Sequence, residues 1–193
     1  MQETLPDPIY LVGILVFLSL APFLAIMVTS FVKLVVVLSL IRNALGIQQI
    51  PPNMVINGLA IILTMYIMNP VAQETFTLLE EQRIDIKSVD SIRTAFDIGK
   101  EPLKRFLLKH SSEEERIFFY NAAEEMWPEE QSANLANDDL MILVPAFTVG
   151  ELKSAFQIGF LIYLPFIAID IIVSNILLSM GMMMVSPIVF SLP

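Results

Sequence analysis

"LMILVPAFTVGELKSAFQIGFLIYLPFIAIDIIVSNILLSMGMMM" occupies residues 140–184. Roughly 20 mostly apolar residues suffice to cross a bilayer, and this run is more than twice that long. Only Glu151, Lys153 and Asp170 carry charge within it. It reads as one long apolar helical segment, with kinks expected at Pro145 and Pro165, since proline removes a backbone donor and clashes with the preceding turn. The segment closes on Met180, Met182, Met183 and Met184, which surround Gly181, with Pro187 just beyond. Glycine and proline there predict that the helix ends or bends. A bent apolar segment with open backbone groups must be covered by protein or line a cavity. Methionine is unbranched and polarizable, so it adapts to irregular contacts. The cluster reads either as packing filler, which composition alone favours, or as an apolar constriction in a pore.

Working outward, the same contrast divides the whole chain. It has 193 residues, a net charge of −9 and 55% hydrophobic residues. From Glu74 to Asp139 there are 16 acidic and 8 basic residues, so 24 of the 31 charges lie in the middle third. Three regions follow: residues 1–73 as a first apolar helical hairpin, 74–139 as an acidic helical domain, and 140–193 as the first limb of a second apolar hairpin with the methionine-rich loop. The fold class is all-α, with long kinked apolar hairpins and a small polar domain inserted between them. There is no cysteine, which excludes disulfides and thiolate chemistry. The N-terminus carries Glu3 and Asp7 but no Lys or Arg. A secretory signal needs a basic region there, so the first apolar segment is expected to be retained.

That first segment runs from about Ile9 to Ile41, is too long for one plain span, and is expected to kink at Pro22. "RNALGIQQIPPN" (Arg42–Asn53) has the glycine and prolines of a turn, and a second apolar segment follows from Met54 to Ala72. Arg42, Asn43, Gln48, Gln49 and Asn53 cluster around this turn. They serve either to satisfy the open backbone groups of two helix ends or as a polar contact surface for partner subunits. In the acidic domain, Ile92, Ala95 and Phe96 predict one helix. Leu103, Phe106 and Leu107 predict another, with Pro102 in its first turn. Ser112 and Glu115 have the spacing of a capping box that opens a third. The basic turn and the acidic middle domain predict the turn on the cytoplasmic side and the acidic domain outside.

Little in the chain suggests catalysis. The one histidine, His110, reads as a solvated residue of the polar domain, and no metal-ligand or phosphate-loop spacing occurs. No cofactor is expected. An acidic excess argues against nucleic acid. Lys33 and Asp170 are lone charges in apolar segments, where an ion is costly unless it pairs or faces water. They read as a proton or ion path, or, preferably, as structural contacts between segments one and three or between copies of the chain.

"TSFVKLVVVLSLIRNALGIQQIPPNMVINGLA" (Thr29–Ala60) and "LVPAFTVGELKSAFQIGFLIYLPFIAIDIIVSNILLSMGMMMVSP" (Leu143–Pro187) closely resemble the two signatures of the type III secretion export-gate family. This family comprises the SctR proteins of injectisomes and the FliP proteins of flagella. The two stretches cover about 77 residues, and the missing basic signal resembles the injectisome branch. The resemblance implies a multi-pass protein of the bacterial inner membrane, a subunit of a helical oligomeric cone standing largely on the periplasmic side. It implies five copies joined by the smaller subunits SctS and SctT, with rod and needle subunits and unfolded secreted substrates as further partners. It implies a pore gasket at Met180, Met182, Met183 and Met184. Lys33 and Asp170 would then face subunit interfaces. The family continues past "SLP" with an apolar limb that completes the second hairpin. The alternative is an ion or solute transporter working through Lys33 and Asp170.

Overall fold

In the computed structural model of the chain, residues 8–47, 50–81, 89–132 and 135–181 are described, and every element among them is helical. In order these are α1 (Pro8–Val28), α2 (Phe31–Ala44), α3 (Asn53–Glu81), α4 (Val89–His110), α5 (Glu113–Met126), α6 (Glu129–Ser132) and α7 (Leu140–Ser179). α7 has 40 residues, so at 1.5 Å per residue it is about 60 Å long, twice the hydrocarbon thickness of a bilayer. It is the spine of the molecule: α1, α2, α4 and α5 all lie against it, while α3 packs on α2 and α4.

The prolines expected to kink the helices lie inside continuous ones. α1 continues through Pro22, and the chain turns instead at Thr29–Ser30, where α1 and α2 meet at 63°. α3 runs on through Pro70, and α7 passes both Pro145 and Pro165 unbroken. A proline removes one donor. Ending a helix in apolar surroundings would leave more backbone groups unsatisfied than that. In the polar region the two helices expected on either side of Pro102 are one, α4, with Pro102 fully buried inside it. Packing of α4 against α3 and α7 overrides the local preference. α3 also extends past residue 73 to Glu81, so Glu74, Glu80 and Glu81 ride on the end of an otherwise apolar helix.

The core of the single chain is small. Phe106 and Leu107 of α4 meet Leu143 and Phe147 of α7, with Val28, Met68 and Val71 packed around them. The Phe106 ring lies 5.6 Å from that of Phe147 and 4.4 Å from the imidazole of His110. His110 itself is exposed, its Nδ1 2.8 Å from the Phe106 carbonyl. Charges fasten α4 to its neighbours: Arg105 bonds Glu74 of α3 at 2.5 Å, and Lys104 bonds Asp138, just before α7, at 2.7 Å.

α2 and α7 approach most closely where Gly159 faces Leu40. A Cβ built on Gly159 would stand 2.2 Å from Leu40 Cδ1 and 3.0 Å from Leu40 Cβ. Turning the leucine would relieve the first clash but not the second. Gly159→Ala is therefore expected to cost about 1–3 kcal/mol, as overpacking does, and combining it with Leu40→Ala, which removes Cδ1 and Cγ but keeps Cβ, should recover part of it. Denaturant titration of the four proteins checks this; a single variant as stable as the parent sinks it.

The rest of the apolar surface is not covered by the chain itself. The molecule exposes 14350 Å², where a compact protein of 21.7 kDa would expose about 9,200 Å². Large apolar side chains such as Leu18, Tyr66, Phe160 and Ile172 stand open along α1, α3 and α7. Among the described residues two helices, α3 and α7, are long and apolar enough to cross a membrane, and α1 with α2 makes a third if that bent pair counts as one span.

Candidate functional site

One short stretch of α7, residues 148–153, carries polar groups into these apolar surroundings. Thr148 Oγ lies 3.0 Å from the Met27 carbonyl and 2.8 Å from that of Val144. The Met27 carbonyl is one of those left without a helical partner where α1 ends, so Thr148 satisfies the break that proline did not cause. One turn later, Glu151 Oε1 accepts a hydrogen bond from Lys33 Nζ at 2.6 Å, and Glu151 is only 5% exposed. Lys153 Nζ donates to Glu115 Oε1 at 2.9 Å and to Glu114 Oε2 at 3.2 Å. Residues two apart on a helix do not face one another. α7 is thus gripped on one side by α2 and on another by α5.

Lys33 and Asp170 read as contacts between segments one and three or between copies; within this chain the Lys33 nitrogen sits on Glu151 of the third segment. Asp170 lies 19 residues farther along α7, about 29 Å away at the helical rise, and is half-buried. Sequence reading missed Glu151 because Lys153 stands two residues on, so neither is the lone charge in an apolar run that Lys33 and Asp170 are. Thr148 and Glu115 carried no signal of their own for these roles.

The capping box forms by half. Ser112 Oγ accepts from the Glu115 backbone N–H at 3.3 Å. The Glu115 carboxylate does not reach back; it turns to Lys153, and its Oε2 is buried with no partner among the described residues. The Lys153 hydrogen bond outweighs burial and holds the Glu115 carboxyl below its usual range, and Lys104 does the same for Asp138. Because both pKa values are lower folded than unfolded, the unfolded chain binds more protons. Both contributions are complete above an ordinary carboxylate pKa of about 4 and are lost as the pH falls through the lower folded values. Thermal melts from pH 6 down to pH 3 are expected to show falling stability, with a shallower fall in a Glu115→Gln/Asp138→Asn variant. An unchanged slope in that variant counts against both contacts.

At the turn between α2 and α3, Arg42 Nη1 donates to Asn53 Oδ1 at 2.6 Å and to the Pro51 carbonyl at 3.2 Å. The Asn43 carbonyl accepts from Gly46 N–H, and Gly46 takes a φ of 63° that glycine adopts without strain. Asn43 is exposed. Gln48 and Gln49 lie outside the described residues. Arg42 therefore fastens the two helix ends of its own chain.

At the far end of α7 the helix stops where glycine and methionine meet. Met180 N–H bonds the Ile176 carbonyl, and Gly181 N–H bonds that of Leu178. Gly181 has φ +76°, the left-handed conformation that commonly closes a helix. Met180 is 69% exposed and nothing approaches Gly181 within 4 Å of a built Cβ. Met182, Met183 and Met184 lie outside the described residues. No group of three or more His, Asp or Glu among the described residues is placed to hold a metal ion.

The sequence matches the FliP family over residues 14–193. The chain belongs to the FliP family. It is 52% identical over 189 residues to the Yop proteins translocation protein R of Yersinia pestis, covering 98% of this chain and 87% of that one. It is 47% identical over 194 residues to the virulence protein YscR of Salmonella typhimurium, with coverage of 98% and 88%. The hypersensitivity response secretion protein HrcR of Ralstonia nicotianae is 42% identical over 188 residues, with coverage of 95% and 85%. These relatives place the chain on the injectisome, or SctR, branch of the FliP family.

Proposed function

We propose that this FliP-family chain is a pore-forming subunit of a type III secretion export apparatus. It gates the passage of unfolded protein substrates and forms the base on which rod and needle are built. The observation that carries the reading is the form of α7: an apolar helix of about 60 Å that ends on an exposed methionine and a left-handed glycine. Lipid covers about 30 Å of such a helix; the remainder requires other protein. Five copies, with SctS and SctT, supply that cover in the proposed cone, with α2 and α3 in its first hairpin and α7 as the first limb of its second. The cone stands largely on the periplasmic side of the inner membrane. Met180, Met182, Met183 and Met184 form the gasket, and Asp170 and the turn residues Asn43, Gln48 and Gln49 meet neighbouring subunits. The role is structural, not enzymic. Domain limits at 73 and 139 separate the first hairpin, the acidic periplasmic domain and the second hairpin.

The test is the mass of the purified particle. Co-expressed with its partner chains and measured by native mass spectrometry, the protein is expected as five copies with the smaller subunits bound. A stable monomer under those conditions rejects the reading. No observation favours a transporter using Lys33 and Asp170, since Lys33 is engaged by Glu151.

A further inference from the structure

The polar region carries a groove distinct from the apolar walls. It lies between the end of α5 and the start of α7 and has a volume of about 200 Å³. Its α5 side is formed by Phe119, Ala122, Ala123 and Met126. Their spacing, i, i+3, i+4 and i+7, is one face of a helix. Met141 and Ile142 of α7 form the opposite side. The floor is shallow because its central α5 residues are alanines, and Ala123 and Ile142 are buried. The rims are methionine: Met126 is 81% exposed and Met141 70%. A small-residue floor between two flexible thioether rims accepts the bulky side chains of a second helix, and methionine adjusts to their shape.

The charge around the groove states which helix. From residue 117 to residue 152 the sequence holds seven carboxylates and no Lys or Arg. Asp138 is neutralised by Lys104, Glu151 by Lys33, and Glu124 is bonded by Tyr120. Glu125, Glu129 and Glu130, flanking Met126 and Trp127, make no ion pair among the described residues. The lining of the groove is apolar, and the chain on either side of its residues Met126 and Trp127 is anionic. Among the described residues, a second copy of the chain does not supply a complement. Its basic amphipathic segment is the end of α4, with Lys104, Arg105 and Lys109, and the apolar face of that helix is already buried against α7 through Phe106 and Leu107.

We infer that this groove docks a basic amphipathic helix of a different protein, its apolar face seated on Ala122 and Ala123 between the two methionines and its cations over Glu125, Glu129 and Glu130. The inference is independent of the gate reading, because it concerns α5 and the start of α7 alone and is read by a different signal.

The chain carries its own reporter. Trp127, its only tryptophan, lines the groove. The full chain in nanodiscs of zwitterionic lipid is titrated with a synthetic leucine–lysine helix, leucines at i, i+3, i+4 and i+7, and with its leucine–glutamate counterpart. The lysine helix is expected to shift Trp127 emission saturably, more weakly as salt rises, and the glutamate helix is not. Glu125→Gln/Glu129→Gln/Glu130→Gln, three surface changes that leave the packing intact, should weaken binding about tenfold. Ala122→Phe, which fills the floor, should abolish it. Equal binding of the two peptides, parental affinity in either variant, or an emission shift produced by raising protein concentration without peptide overturns the inference; the last would mean that a second copy covers the groove.

Discussion

Glu151→Leu is expected to destabilise the chain by about 3 kcal/mol, the lower end of the cost of removing one partner from a buried ion pair. The lower end applies because the Lys33 side chain left behind is 29% exposed and regains some water. The reverse change is expected to cost more. Lys33→Met strands a carboxylate whose side chain is only 7% exposed, in apolar surroundings where an unpaired ion is most costly. The double variant Lys33→Met/Glu151→Leu should recover most of either loss, since an apolar pair of similar volume often replaces a buried ion pair without cost. Unfolding of the four proteins, followed by circular dichroism in one detergent, gives the coupling between the two sites. If the losses simply add, the contact between α2 and α7 carries no energy. Because Thr148 and Glu151 hold the two sides of the α1–α2 break, the single variants are also expected to lower the yield of the assembled particle.

Deleting Met182, Met183 and Met184 is expected to leave the particle assembled and change it from sealed to permeable at rest. The proposed seal is an apolar constriction that water avoids, which gates by dewetting. Removing three thioethers from each copy would widen it and admit water. Proteoliposomes containing the particle, loaded with a small fluorescent solute, should retain it with the parent protein and lose it with the deletion. Replacement of the three methionines by leucines should keep the resting seal, because hydrophobicity is retained, while slowing secretion, because leucine is branched and adapts less to a passing chain. A deletion that assembles and stays tight removes the gasket assignment.

The positions of these two experiments differ in how they were found. The end of α7 was legible because its signal is local: the helix ends at Ser179 as Gly181 implies. Glu151 was not, because nothing in its neighbourhood distinguishes a carboxylate that turns to the next helix from one that meets water. Its partner is 118 residues away in sequence. The capping box shows both situations in one motif. Ser112 caps its helix as its spacing predicts, while the Glu115 carboxylate is drawn to Lys153 by a helix that the motif does not contain.

The sequence by itself determined the helical class, the division into apolar and acidic regions, the turn at Arg42–Asn53, the end of α7 and the family. All of these rest on residue type and short-range spacing, which act within a few turns of chain. The tertiary structure alone decided that α1 and α2 part at Thr29–Ser30, that α4 runs unbroken through Pro102, and that Lys33 meets Glu151. Each of those depends on which helix faces come together. A carbonyl, a ring or an ion buried at such a meeting takes the nearest partner that satisfies it, however far off that partner lies in the chain.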